Sequence, residues 1–152
     1  SYHRERILKP DWQKPMTPHF RLDNNVIIFS LFPGIREDLI RHIIHTPNLK
    51  AIVMRTFGSG NAPQSSWLLR ALKEGTANGK IIVNISQCLQ GAVEMSRYDC
   101  GYHLQEAGVI SGRDMTVESA VTKLMFLQSH YPESPEKVCQ LMQKSIRGEM
   151  TI

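Results

Sequence analysis

Residues 26–34 read Val-Ile-Ile-Phe-Ser-Leu-Phe-Pro-Gly, a continuous apolar and β-branched run that Pro33-Gly34 ends. Such a run is typical of a strand that is buried on both faces inside a parallel sheet. Two runs of the same kind follow at residues 49–54 and 80–86. The sequence therefore predicts at least three strands of one buried sheet.

The segments between these runs carry helical patterns. Apolar residues recur at spacings of three and four among polar ones, at Ile35, Leu39, Ile40, Ile43 and Ile44 and again at Trp67, Leu68, Ala71 and Leu72. This spacing places the apolar side chains on one face of a helix. Strand and helix alternation predicts two right-handed βαβ units. The expected fold class is α/β, a three-layer Rossmann-like domain with a small, mostly parallel sheet flanked by helices.

The C-terminal part of the sequence is predicted to be mainly helical. A short helix is indicated at 102–107, and two stronger ones follow Thr116 and Ser134-Pro135. Thr and Ser are favoured N-cap residues, and proline is favoured at the first helical position. The apolar sides of these two helices are predicted to hold Val117, Val121, Leu124, Met125 and Gln128 in the first, and Val138, Leu141, Met142 and Ile146 in the second.

Length and composition bound the class of protein. A chain of 152 residues with 41% hydrophobic residues is long enough to bury an apolar core. Residues 26–152 are expected to form one domain, and residues 1–25, with prolines among charges, are interpreted as an interdomain linker or extension. The start at Ser1 fits a fragment. No apolar run approaches the roughly 20 residues that span a bilayer, so no membrane partner is expected.

Charge and cysteine content exclude other classes. The net charge of +4 comes from dispersed bases, whereas nucleic-acid binders concentrate them, so no nucleic-acid partner is expected. Three cysteines without short spacing favour neither a disulfide framework nor zinc, and a cytoplasmic location fits best. His42 and His45 share a helix at metal-binding spacing, but no third ligand joins them, so solvated positions are favoured over a metal site.

Candidate binding residues come from the carboxyl ends of the strands, where open parallel sheets bind ligands. Arg55 could pair with a carboxylate or simply bond a neighbouring loop. The turn 58–61 could expose N–H groups to an anion or contain glycines only for its shape. Cys88 is either a reactive thiol or, more commonly for a lone cysteine, a buried small hydrophobe. Tyr98 and Glu94 could enter a site or fix their loop.

Four collinear blocks resemble the C-terminal domain of the cytoplasmic, type I bacterial L-asparaginases. They are residues 55–63 (RTFGSGNAP), 83–88 (VNISQC), 108–116 (GVISGRDMT) and 144–151 (KSIRGEMT). The resemblance extends over residues 26–152. It implies hydrolysis of L-asparagine to L-aspartate and ammonia without metal or cofactor, through a threonine nucleophile in an N-terminal domain.

The resemblance also implies what this chain lacks and what it contributes. The family's nucleophilic Thr-Gly-Gly-Thr stretch and Thr-Asp pair are absent, so the chain is expected to be inactive alone and to hold no catalytic residue. Asn61 matches the family asparagine that reaches across a homodimer, or a dimer of dimers, to the neighbouring subunit's substrate. Tyr98 is the next candidate for this substrate contact, and Glu94 ranks after it.

A second role implied by the resemblance is allosteric binding of asparagine. Arg55, Ser86 and Cys88 fall where some type I enzymes hold this effector, and Ser86 stands where the family has threonine but keeps the hydroxyl. The alternative function is a stand-alone small-ligand (amino-acid) binding or regulatory α/β module that uses the same three residues. A receiver-like domain is not expected, because the strand ends lack the acidic cluster that holds Mg²⁺.

Overall fold

The computed structural model describes Lys9, Gln13 and residues 15–63, 65–89, 91–95 and 99–151, with the backbone alone for residues 99 and 100. The described elements are β1 (Val26–Ser30), α1 (Glu37–Ile44), β2 (Ala51–Thr56), α2 (Ser66–Ala77), β3 (Ile81–Ser86), α3 (Asp99–Glu106), β4 (Ile110–Ser111), α4 (Val117–His130) and α5 (Pro135–Met142). Strands and helices therefore alternate as far as β4, and the sequence predicts this alternation as far as β3.

The strands form one sheet in the order β1-β2-β3-β4, and every neighbouring pair is parallel. The α/β prediction is confirmed. The two-residue strand β4 was not predicted, because it is too short to show a strand pattern between Gly108 and Gly112.

The interior position predicted for β1 is wrong. The strand lies at one edge of the sheet, and Ile28 is 44% exposed. The apolar run serves the opposite face instead, where Phe29 and Leu31 are buried. A continuous apolar run predicts a strand but does not distinguish an edge from the centre, because both positions can bury at least one face.

Helices cover both faces of the sheet. Ile52, Met54 and Ile82 belong to a core shared with α1, α2 and α3. The alternate residues Val53, Val83 and Ile85 belong to a second core shared with α4 and α5. Because successive strand residues point to opposite faces, one strand supplies both cores. The predicted three-layer arrangement is confirmed.

The starts of the last two helices fall where the sequence placed them. Thr116 is the N-cap of α4, and its hydroxyl oxygen accepts a hydrogen bond from the Ser119 amide at 3.2 Å. Ser134 precedes α5 and Pro135 opens it, but the Ser134 side chain makes no capping bond. The prediction that α5 includes Ile146 is wrong, because the helix ends at Met142. Ile146 still packs against the same core.

A buried lysine in α4 binds the segment that follows α5. Lys123 is 5% exposed, and its Nζ donates to the carbonyls of Met142 (3.2 Å) and Lys144 (2.5 Å). Its third partner is Glu149 Oε1 at 2.6 Å. Burial alone would raise the pKa of Glu149, but the hydrogen bonds from Lys123 and from the backbone amides of Arg147 and Ile146 lower it from 4.5 to about 2.

We predict that Glu149→Gln destabilises the chain by about 3 kcal/mol at pH 7, because it leaves the buried ammonium of Lys123 without its counter-charge. The folded-state pKa of Glu149 is depressed, so its stabilisation is complete above the unfolded value of 4.5 and is lost as pH falls towards about 2. Urea unfolding at several pH values measures this. Below pH 4.5 the free energy of unfolding of the Glu149→Gln variant should fall less steeply than that of the wild type. Glu133→Gln, which changes an exposed glutamate, should match the wild type. An unchanged slope in the Glu149 variant would contradict the assignment.

Candidate functional site

Asn61 ends a closed turn that follows β2. The Phe57 amide donates to the Asn61 carbonyl at 2.9 Å, and the Asn61 amide donates to the Phe57 carbonyl at 2.8 Å. Gly60 adopts φ +107°, and a Cβ at this position would lie 2.8 Å from Val93 Cγ1. Only glycine fits this backbone geometry and this close approach. The turn therefore presents Asn61 in a defined position at the carboxyl edge of the sheet.

Two buried polar side chains support this turn from the sheet. Thr56 and Asn84 are fully buried, and the Thr56 hydroxyl donates to Asn84 Oδ1 at 2.7 Å. Asn84 Nδ2 in turn donates to the Gly60 carbonyl at 3.2 Å. Neither residue was among the site residues predicted from the sequence. The available signal was an asparagine inside an otherwise apolar strand, since buried polar groups are almost always hydrogen-bonded to something specific.

Glu94 lies on a segment next to the turn. Its amide donates to the Ser59 carbonyl at 3.2 Å, and its side chain is exposed. The preceding residue, Val93, donates its amide to the Arg113 carbonyl at 2.9 Å. Asn61 and Glu94 are thus carried by neighbouring segments of one edge. Tyr98, the third predicted substrate contact, lies outside the described residues.

Arg55 faces the other side of the sheet. It pairs with Ile85 in the register of β2 and β3, and it follows Val53 on the side covered by α4. Its Nε is buried and has no hydrogen-bond partner among the residues that the structure describes. Glu118 in the first turn of α4 has a lowered pKa, caused by its own backbone amide, then by the Thr116 hydroxyl, and also by attraction to Arg55. A buried, unpartnered guanidinium N–H is a donor suited to a carboxylate.

Ser86 and Cys88 sit beside the Asn61 turn. The Ser86 hydroxyl donates to the Gly58 carbonyl at 2.5 Å and accepts from the Cys88 amide at 2.9 Å. Ser86 is the register partner of Thr56, not of Arg55. The interpretation of Cys88 as a buried small hydrophobe is wrong, because the residue is exposed. Cys88 is the second residue after the end of β3 and therefore lies beyond the buried strand.

Gln87 joins the ends of the first two strands. Its Nε2 donates to the carbonyls of Leu31 at 2.7 Å and Arg55 at 3.0 Å. These two bonds hold the chain after β3 against the ends of β1 and β2.

The remaining candidates lie away from this edge. His42 and His45 are exposed, and His45 Nε2 lies 3.6 Å from Glu74 Oε2. Within the described ranges, no three metal-ligating side chains are gathered together. No helix in these ranges has the length and apolarity required to cross a membrane.

The chain is an α/β domain with an open parallel sheet and polar side chains at its carboxyl edge, the edge at which sheets of this class bind ligands. The chain belongs to the Glutaminase/Asparaginase C-terminal domain family, whose model matches residues 25–142.

The chain is similar in sequence or structure to proteins of several organisms. L-asparaginase 1 of Escherichia coli K12 is 39% identical over 137 residues, which are 90% of this chain and 38% of that protein. The 60 kDa lysophospholipase of Homo sapiens is 41% identical over 99% of this chain and 26% of its own length. The crystal structure of L-asparaginase I from Vibrio cholerae matches with a TM-score of 0.79 and 43% identity, over 91% of this chain and 40% of that one. The chain thus spans well under half of each.

We predict that Thr56→Val destabilises the chain by about 1–3 kcal/mol, because it leaves Asn84 Oδ1 buried without its donor. Amide exchange of Gly60 and Asn61 should become faster than in the wild type, since Asn84 is then free to turn away from the Gly60 carbonyl. Thr46→Val is the matched control, because the Thr46 hydroxyl bonds the His42 carbonyl on the exposed surface. Equal effects of the two substitutions would argue against a positioning role for Thr56.

Proposed function

We propose that this chain is the C-terminal domain of a cytoplasmic L-asparaginase, which hydrolyses L-asparagine to L-aspartate and ammonia only together with an N-terminal catalytic domain. Family membership and the asparaginase relatives support this. The chain also spans about two fifths of the length of its asparaginase relatives, as expected for one of two domains. The single observation that carries the proposal is the Asn61 turn, which is fixed at the ligand edge by a buried polar network.

The proposed role of Asn61 is to contact substrate bound in a neighbouring subunit of a homodimer or dimer of dimers. A carboxamide offers both donors and an acceptor, so it can pair with the polar groups of an amino-acid substrate. Glu94 stands on the adjacent segment and supplies a carboxylate for an ammonium group. Tyr98 is proposed to join them. A side chain pre-positioned by Gly60 and Asn84 contributes binding without a large ordering cost.

A second proposed role is the binding of asparagine as an effector, with Arg55 taking the α-carboxylate. The buried and unpartnered Nε supports this role, because binding a carboxylate would satisfy it. Ser86 and Cys88 are proposed to contact the effector from the end of β3, on the side of the Asn61 turn and opposite to Arg55, so the effector would bridge the ends of β2 and β3. The alternative is a stand-alone amino-acid binding module that uses these three residues without any second domain.

We expect the isolated chain to release no ammonia from asparagine, and Asn61→Ala in the complete protein to raise KM about tenfold with a smaller effect on kcat. A lost polar contact to substrate of about 1.4 kcal/mol corresponds to that factor. Coupled ammonia detection measures both parameters.

Asn24→Ala is the control for Asn61→Ala, because Asn24 is an exposed asparagine before β1. Turnover by the isolated chain would overturn the proposal. So would activity of the complete protein on a lysophospholipid but not on asparagine.

Calorimetric titration of the isolated chain with L-asparagine or L-aspartate separates the two functions. An enzyme fragment should bind either ligand only weakly, because half of its site is supplied elsewhere. Micromolar binding that Arg55→Met abolishes and Arg113→Met leaves intact would establish the binding module instead. Arg113 is a suitable control because it is an arginine on a neighbouring loop of the same edge.

A further inference from the structure

The C-terminal segment is fastened to a turn that adjoins the Asn61 and Glu94 segments. The Thr151 amide donates to Asp114 Oδ1 at 2.8 Å, and the Thr151 hydroxyl donates to Asp114 Oδ2. Both hydrogen-bond donors of Thr151 therefore bind one carboxylate. Met150, immediately before it, is 6% exposed and packs in the core beneath α4 and α5. We define the Thr151–Asp114 pair as the tail clamp.

The turn that the tail clamp holds has a constrained backbone. Arg113 adopts φ +54°, a conformation that costs a non-glycine residue energy unless its surroundings fix it. Its amide donates to the Ser111 hydroxyl at 3.0 Å. The Gly112 amide donates to the Asn84 carbonyl at 2.7 Å. The turn is thus fixed on one side by β3 and on the other by the tail clamp.

The same turn contacts the segment that carries Glu94. The Arg113 carbonyl accepts from the Val93 amide at 2.9 Å, and the Ser111 hydroxyl donates to the Val93 carbonyl at 2.9 Å. Val93 in turn occupies the space beside Gly60. Contacts therefore run from Thr151 to Asp114 and, through Ser111 and Arg113 of the same turn, to Val93. Val93 lies beside Gly60 and directly precedes Glu94.

We infer that the tail clamp is a positioning device for the substrate-contacting edge. Thr151 and Asp114 act through the turn at 111–114, which sets the position of Val93 and hence of Glu94 and the Asn61 turn. The inference about substrate rests on the proposed function, whereas the inference about position concerns this chain alone. Charge-assisted bonds to a carboxylate are stronger than neutral ones, which suits the clamp to this task.

The positional part is tested by amide hydrogen exchange on the 152-residue chain. Thr151→Val should make the Val93 and Gly112 amides exchange about fivefold faster, the factor expected for one lost hydrogen bond of about 1 kcal/mol. Thr151→Ser should restore the wild-type rate, because it keeps the hydroxyl. Asp114→Asn should be intermediate, since its remaining oxygen still accepts one bond.

Thr122→Val is the control for exchange, because the Thr122 hydroxyl bonds the Glu118 carbonyl within α4. Unchanged exchange at Val93 in the Thr151→Val chain would overturn the inference. So would an equal acceleration at every amide, since that reports a global loss of stability.

The functional part is tested in the complete enzyme. Thr151→Val should raise KM for asparagine about threefold to fivefold with kcat within twofold, and Thr151→Ser should reverse the change. If Asn61→Ala raises KM but Thr151→Val does not, the proposed function stands and the role of the clamp in substrate binding is refuted. If exchange responds as expected but Asn61→Ala leaves KM unchanged, the proposed function fails and the positional role of the clamp stands.

Discussion

The hydrogen bond from the Thr56 hydroxyl to Asn84 Oδ1 determines the arrangement of the candidate edge. Because Thr56 donates to the oxygen of the carboxamide, the nitrogen of Asn84 must point towards the Gly60 carbonyl. Both side chains are fully buried, so neither can exchange its partner for water without opening the sheet. The strand pair thereby fixes the position of the glycine turn through the bond from Asn84 to the Gly60 carbonyl.

Strand geometry also explains why Arg55 and the Asn61 turn lie on opposite sides of the sheet at this edge. Arg55 and Thr56 are consecutive in β2, so their side chains point to opposite faces of the sheet. Thr56 supports the Asn61 turn on the side of α2, and Arg55 lies on the side covered by α4, where its charge contributes to the lowered pKa of Glu118. The Gln87 side chain donates to the backbone carbonyls of both Arg55 and Leu31 and so links the ends of β1 and β2.

The sequence predicts the elements of this fold better than their contacts. Apolar periodicity located β2, β3 and the main helices, because burial on one or two faces leaves a clear pattern. It could not place β1 at the edge, since the exposure of Ile28 depends on what lies beside the strand. The rule that parallel sheets bind ligands at the carboxyl ends of their strands selected Arg55 and the stretches that contain Asn61 and Ser86, whose roles came from the family resemblance. It missed Asn84, whose role is defined by a partner 24 residues earlier in the chain.

The burial of Lys123 explains the structural role of residues 144–151, a polar segment whose sequence is typical of an exposed surface. A lysine in an amphipathic helix is normally solvated, and nothing in its neighbours along α4 indicates burial. Its three donors are instead satisfied by the carbonyls of Met142 and Lys144 and by Glu149, all beyond the helix. Glu149 also accepts from the amides of Ile146 and Arg147, and Gly148 turns the chain with φ +86°. Residues 144–151 thus supply two of the three partners of the buried Lys123 ammonium, the Lys144 carbonyl and the Glu149 carboxylate. The same segment continues to Thr151, which binds Asp114.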